Sequence, residues 1–182
     1  MKATGIVRRI DDLGRIVIPK EIRRALRIRE SDPMEIYTDR EGGIILRKYA
    51  KMHELDDFSL AYVQALQGTF GHTAAVTDTD SFLFVSGALK KRLLNRPLSE
   101  PLKSRLLDKQ ILFFDDNGET PMPLTANEEV PFLQACAVPI LANGDFVGCV
   151  LMASDEDTHR IGVPELQALK TAALYLGKQL SD

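Results

Sequence analysis

Much of the chemistry that marks catalytic or secreted proteins is scarce in this 182-residue chain. It has two cysteines, Cys136 and Cys149, and three histidines, His53, His72 and His159. None of the histidines stands at a metal-ligand spacing from another histidine or from a cysteine, which removes the usual zinc arrangements. Ser86-Gly87 does not belong to a G-x-S-x-G nucleophile elbow. Gly14 is isolated, so no phosphate-cradling loop is present. No catalytic residue, metal site or known cofactor is therefore expected, and the chain does not read as an enzyme. A run of about 18 apolar residues is also missing, which excludes a transmembrane helix. The start Met-Lys-Ala-Thr lacks an apolar h-region, so no signal peptide is expected. A cytoplasmic protein, not associated with membrane, is the expectation.

What is present is enough for a core: 45% of residues are hydrophobic, too many for a disordered chain. The cysteines fall on either side of Asn143-Gly144, which reads as a two-residue hairpin turn. A regular register about that turn pairs Val138 with Cys149 and Cys136 with Leu151. The two sulfurs then become diagonal neighbours on one sheet face, too far apart to bridge comfortably, and buried free thiols are expected.

Charge is unevenly placed. The net charge of −3 divides into 13 Lys+Arg against 8 Asp+Glu over residues 1–52 and 10 against 18 over the remainder. A basic end joined to an acidic body suggests a nucleic-acid-binding part attached to a part with another role.

The basic end reads as short strands and one helix. Gly5 to Ile10 alternates, with Ile6, Arg8 and Ile10 on one face and Val7 and Arg9 on the other. Asp11-Asp12-Leu13-Gly14 is a turn, and Ile16-Val17-Ile18 a short strand. Pro19 suits the first position of a helix to about Leu26. Met34–Asp39 and Ile44–Lys48 form a hairpin around Glu41-Gly42-Gly43. Such short strands make a poor core alone, so an obligate dimer sharing strands between chains is expected. At 100° per residue, Ile22, Ala25 and Leu26 share one face of the helix. Lys20, Arg23, Arg24 and Arg27 share roughly the opposite one. Arg8 and Arg15 extend the same basic patch. Arginine forks bind phosphate oxygens and guanine edges in a bidentate manner. A solvated helix face with a Glu21–Arg24 pair is the competing reading.

The stretch MKATGIVRRIDDLGRIVIPKEIRRALRI, with MEIY and IILRKY further on, resembles the swapped-hairpin DNA-binding head of the AbrB-type transition-state regulators. The resemblance runs from Met1 to about Tyr49. In that family two chains interleave their hairpins into one barrel. It therefore implies an N-terminal swapped-hairpin β-barrel, dimeric and with one short helix, that binds double-stranded DNA and associates with the nucleoid. Its family contacts match Arg8, Arg15, Arg23 and Arg24, with Arg9 and Lys20 as further basic residues of the site.

Behind the head, a linker helix is expected over 53–70, with Leu55, Phe58, Tyr62 and Leu66 on one side and Gly71 as its stop. Residues 71–182 read as one α/β domain with an antiparallel sheet. Its strands are Ala74–Thr77, Phe82–Val85, a run at Ile111–Phe114, and a long hairpin of Phe132–Leu141 and Phe146–Ala153. Helices are expected at Pro101–Lys109 and Pro164–Leu180. The last carries Leu166, Leu169, Ala173, Leu176 and Leu180 at a/d spacing. This order of parts, and patches such as VPILANGDFVGCVLMAS, resemble the stage V sporulation protein T-like regulators of endospore-forming bacteria. Those carry a GAF-type sensor domain behind the head.

The resemblance implies an α/β GAF-like domain with an antiparallel sheet and flanking helices. It implies a transcriptional regulator of endospore development, acting as activator, repressor or both. A small molecule, unidentified, is expected in the GAF-like domain under the candidate lid Glu119–Pro131; an ordinary surface loop is the competing reading. A tetramer through the stripes Leu55–Leu66 and Leu166–Leu180 is expected as well, against simple packing of both stripes on the sheet. The alternative function is an antitoxin-type DNA-binding protein that neutralises a partner toxin.

Overall fold

The computed structural model of the chain describes residues 5–26, 28, 30, 32–49, 56–115, 122–127, 130–155 and 160–181. The chain divides into two compact units, Met1–Tyr49 and Ala50–Asp182.

In the first unit, helix α1 (Lys20–Ala25) is followed by an antiparallel hairpin of β1 (Met34–Thr38) and β2 (Ile44–Lys48). The hairpin turns where expected. The Asp39 carboxylate accepts N–H bonds from Glu41 and Gly43, and Gly42 takes a φ of 82° that an L side chain resists. Among the described residues the sheet of this unit holds β1 and β2 alone, and the expected strands Gly5–Ile10 and Ile16–Ile18 are not strands here. Their side chains are left in water: Val7 is 87% exposed and Val17 74%. On the hairpin, Ile36 opposite Leu46 forms an apolar face, and Ile36 is 67% exposed. Pro19 is buried, yet Ala25 and Leu26, on the apolar face of α1, are exposed.

The second unit is a five-stranded antiparallel sheet of β3 (Thr73–Thr77), β4 (Phe82–Ser86), β5 (Leu112–Asp115), β6 (Gln134–Ala142) and β7 (Asp145–Ser154). Its order is β4-β3-β7-β6-β5. Helices α2 (Asp56–Phe70) and α5 (Val163–Gln179) pack on one face; α3 (Lys90–Leu93) and α4 (Glu100–Leu107) lie on the other side. Both faces of the central strands are therefore dry, and β6 and β7 read as nearly continuous apolar runs without alternation. One core gathers Val76, Val138, Ile140 and Met152 under Val63, Leu66, Leu169 and Leu176. The other gathers Ala75, Ala137 and Leu151 under Phe82, Leu102, Leu106 and Phe132.

The register of the long hairpin differs from the expectation by one residue. The turn at Asn143 and Gly144, with φ of 51° and 85°, is as predicted. However, Leu141 pairs with Phe146 and Ile140 with Gly148, leaving Val147 as an extra residue. Beyond this bulge Val138 faces Val150 and Cys136 faces Met152. The two cysteines consequently lie in different cores, on opposite faces of the sheet, and both are free and buried. A β-bulge reverses the facing of every later residue in the bulged strand.

The two helical stripes also differ in use. On α5, Leu169, Ala173, Leu176 and Leu180 are buried against the chain's own sheet, so that stripe is no free seam between chains. On α2, Ser59, Val63 and Leu66 face inward, while Phe58 is 58% exposed; Leu55 lies outside the described residues. Of the candidate lid, residues 119–121, 128 and 129 lie outside the described residues. Met122, Leu124 and Val130 from the same segment are buried in the second core. Among the described residues no helix is long and apolar enough to cross a membrane.

Candidate nucleic-acid interface

The basic segment is built on one tight turn. The Asp11 N–H donates to the Arg15 carbonyl (3.1 Å) and the Gly14 N–H to the Asp11 carbonyl (3.0 Å). Gly14 adopts a φ of 75°. Asp11 Oδ1 accepts the N–H groups of Leu13 (3.0 Å) and Arg15 (2.7 Å), a local side-chain cap that a short carboxylate makes well. Its other oxygen, Oδ2, accepts from Arg15 Nε at 2.8 Å. These bonds to the Arg15 backbone N–H first, and then to its guanidinium, hold the Asp11 carboxyl below its ordinary pKa.

Three further cations come from α1. Pro19 occupies its N-cap, one position earlier than expected, and its carbonyl accepts from the Arg23 N–H at 2.9 Å. Glu21 lies in the first turn and Arg23 and Arg24 in the last, an order that complements the helix dipole. Lys20 and Arg24 are exposed. Arg23 is half-buried, and its Nε is buried without a hydrogen-bond partner among the described residues. Arg8 and Arg9 are exposed on the segment entering the turn. The Glu21–Arg24 pair of the competing reading does not form. Among the described residues, only Arg15 of the six named cations is in an ion pair. Arg27 lies outside the described residues.

Two features go beyond the basic pattern of the sequence. Asp11 is more than a turn residue: at a spacing of four it forms the ion pair with Arg15. Arg47 also stacks over the Tyr37 ring at 5.2 Å on the β1–β2 hairpin. Of the histidines, His72 is buried and His53 and His159 lie outside the described residues; no group of metal-holding residues occurs among the described residues.

The comparisons with known proteins agree with this division. The family model described as Stage V sporulation protein T C-terminal, transcription factor, matches residues 54–181. Stage V sporulation protein T of Bacillus subtilis (strain 168) is 45% identical over 182 residues, 100% of both chains. The chain belongs to the stage V sporulation protein T family. It is a sporulation transcription factor with an AbrB-type DNA-binding head. For the head, the transition state regulatory protein AbrB of the same organism is 63% identical over 49 residues, 27% of this chain and 50% of AbrB. The model of the antidote-toxin recognition protein MazE, a bacterial antitoxin, matches residues 7–52. The second unit has the GAF fold. GAF3 of Slr1393 from Synechocystis sp. PCC6803 aligns with a TM-score of 0.55 at 15% identity, over 70% of this chain and 93% of that one. The GAF domain/HD domain protein of Geobacter sulfurreducens aligns with a TM-score of 0.54 at 18% identity, over 70% and 92%.

Proposed function

We propose that this transcription factor binds double-stranded DNA as a dimer of interleaved heads. Arg8, Arg15, Arg23 and Arg24 make the principal contacts, flanked by Arg9 and Lys20. The observation that carries this reading is the pairing of two surfaces on one small unit: a cluster of cations of which, among the described residues, only Arg15 is in an ion pair, and apolar side chains left in water. The apolar side chains, Val7, Val17 and Ile36 among them, need a second chain, and the cations need phosphates. Most contacts go to the DNA backbone and some to base edges, with sequence read largely through shape and flexibility. If the dimer neutralises about 6–10 phosphates, affinity falls roughly 10³–10⁵-fold between about 50 and 200 mM salt. Arg23→Ala and Arg24→Ala abolish operator retention in a mobility-shift assay while gel filtration still shows the dimer. Unchanged binding by both variants at physiological salt overturns the assignment.

The acidic GAF-like domain tunes this activity, as a holder of a small molecule and as an assembly unit, so that the regulator activates or represses during endospore development. After the sheet has taken the inner stripes of α2 and α5, Phe58, Leu174 and Tyr175 remain on their outer sides, with Leu174 64% exposed. These residues are the surface for a tetramer that bridges two DNA segments at the nucleoid. Light scattering of residues 50–182 tests it, and a strict monomer counts against it. The antitoxin reading is favoured by the MazE match, but that match stops at the head. A toxin-type partner recovered with the intact protein would revive it.

A further inference from the structure

Arg15 stands apart among the named cations because another side chain holds it. Its grip has two parts. Asp11 Oδ1 is fixed by the backbone N–H groups of Leu13 and Arg15, which sets the carboxylate plane. Asp11 Oδ2 then takes Arg15 Nε at 2.8 Å. The guanidinium is anchored at its inner nitrogen, while its two terminal nitrogens have no partner among the described residues and the side chain is 70% exposed.

Two ordinary explanations fall short. An ion pair this exposed contributes little to folding stability. A carboxylate beside a DNA contact is also electrostatically costly, because it repels the phosphates that its neighbours attract. What the arrangement does supply is orientation. A free arginine loses much of its rotamer freedom when it meets DNA. One held at Nε has lost that freedom already and offers its outer edge for bidentate contact with a phosphate or a guanine. We propose that Asp11 is a positioning residue, which pre-orients Arg15 for DNA. This rests on the reading that Arg15 touches DNA.

Three variants of the full chain test it against a labelled A·T-rich duplex: Asp11→Asn, Arg15→Ala and the double substitution. Asparagine keeps an oxygen to accept the Leu13 and Arg15 N–H groups, so the turn survives. Its amide nitrogen cannot accept from Arg15 Nε, so the grip is lost. The expected result is binding about fivefold weaker for Asp11→Asn, with an unchanged melting temperature and no further loss when it is added to Arg15→Ala. A purely electrostatic role predicts the reverse, tighter binding on loss of the negative charge, and that result overturns the proposal. So does an equal loss in the Arg15→Ala background, which would mean that Asp11 acts on the turn as a whole. If Arg15→Ala alone leaves binding intact, the contact reading itself fails and takes this proposal with it. If Arg15→Ala weakens binding and Asp11→Asn does not, only the positioning role is lost.

Discussion

Cys136 and Cys149 show how much one inserted residue decides. With Val147 added to β7, the thiols enter separate cores. Burial pushes Cys136 up to about 11 and Cys149 up to about 12, from an ordinary 9.0. Both stay protonated at neutral pH, and the thiolate is the reactive form. Iodoacetamide is therefore expected to leave the native protein unlabelled and to modify both cysteines once denaturant is added; mass spectrometry reads the difference. The same shift sets a pH dependence. Above about pH 9 the unfolded chain loses these protons while the folded chain retains them, so stability falls as pH rises towards about 12. Urea midpoints measured across that window should decline, and a Cys149→Ala variant should decline less. At the Asp11–Gly14 turn the shift has the opposite sign: the bonds from the Arg15 N–H and guanidinium lower the pKa of the Asp11 carboxyl, so the grip on Arg15 persists into mildly acidic solution.

Elements with a strong local signal are where the residues place them. Ser99 caps α4 by accepting the Leu102 N–H, with proline in the first turn, and its hydroxyl also donates to the Pro123 carbonyl. Ser99→Ala should cost about 1 kcal/mol through the cap, with a further loss because the Pro123 carbonyl is orphaned. Gly177 on α5 lies against β6 so closely that a Cβ would stand 2.3 Å from the Leu141 carbonyl oxygen. Gly177→Ala is expected to destabilise by roughly 1–3 kcal/mol, measured by chemical denaturation, because helix and strand must separate. The inward face of α2 was less legible. Phe58 fits a helical stripe with Tyr62 and Leu66, yet Phe58 is exposed while Tyr62 and Leu66 pack on the core with Val63. Helix α3, at four residues, is too short to show a period at all. Lys103 on α4 pairs with Asp80 in the β3–β4 turn, its side chain 7% exposed; nothing in the spacing of two residues so far apart announces that contact.

Across the whole molecule, the two units have different reasons to be stable. Residues 50–182 close two cores around one sheet and are expected to melt as an independent unit. A fragment beginning at Gly71 should not, because it lacks α2 and exposes the core that Val63 and Leu66 cover. Among its described residues the head has no comparable core. Its melting temperature, measured on residues 1–52, should rise with protein concentration, as folding tied to association requires. A concentration-independent transition would mean that the head folds alone.

The residues by themselves determined the order of elements, the turns at Gly14, Asp39–Gly43 and Asn143-Gly144, and the basic and acidic halves. Those properties are local: a turn, a helical period or an unpaired arginine is written within a few neighbouring positions. Tertiary structure alone decided the register of β6 with β7, the separation of the cysteines, the inward faces of α2 and α5, and the pairing of Lys103 with Asp80. A strand buried on both sides shows no alternation from which to read its facing, and a single bulge reverses it.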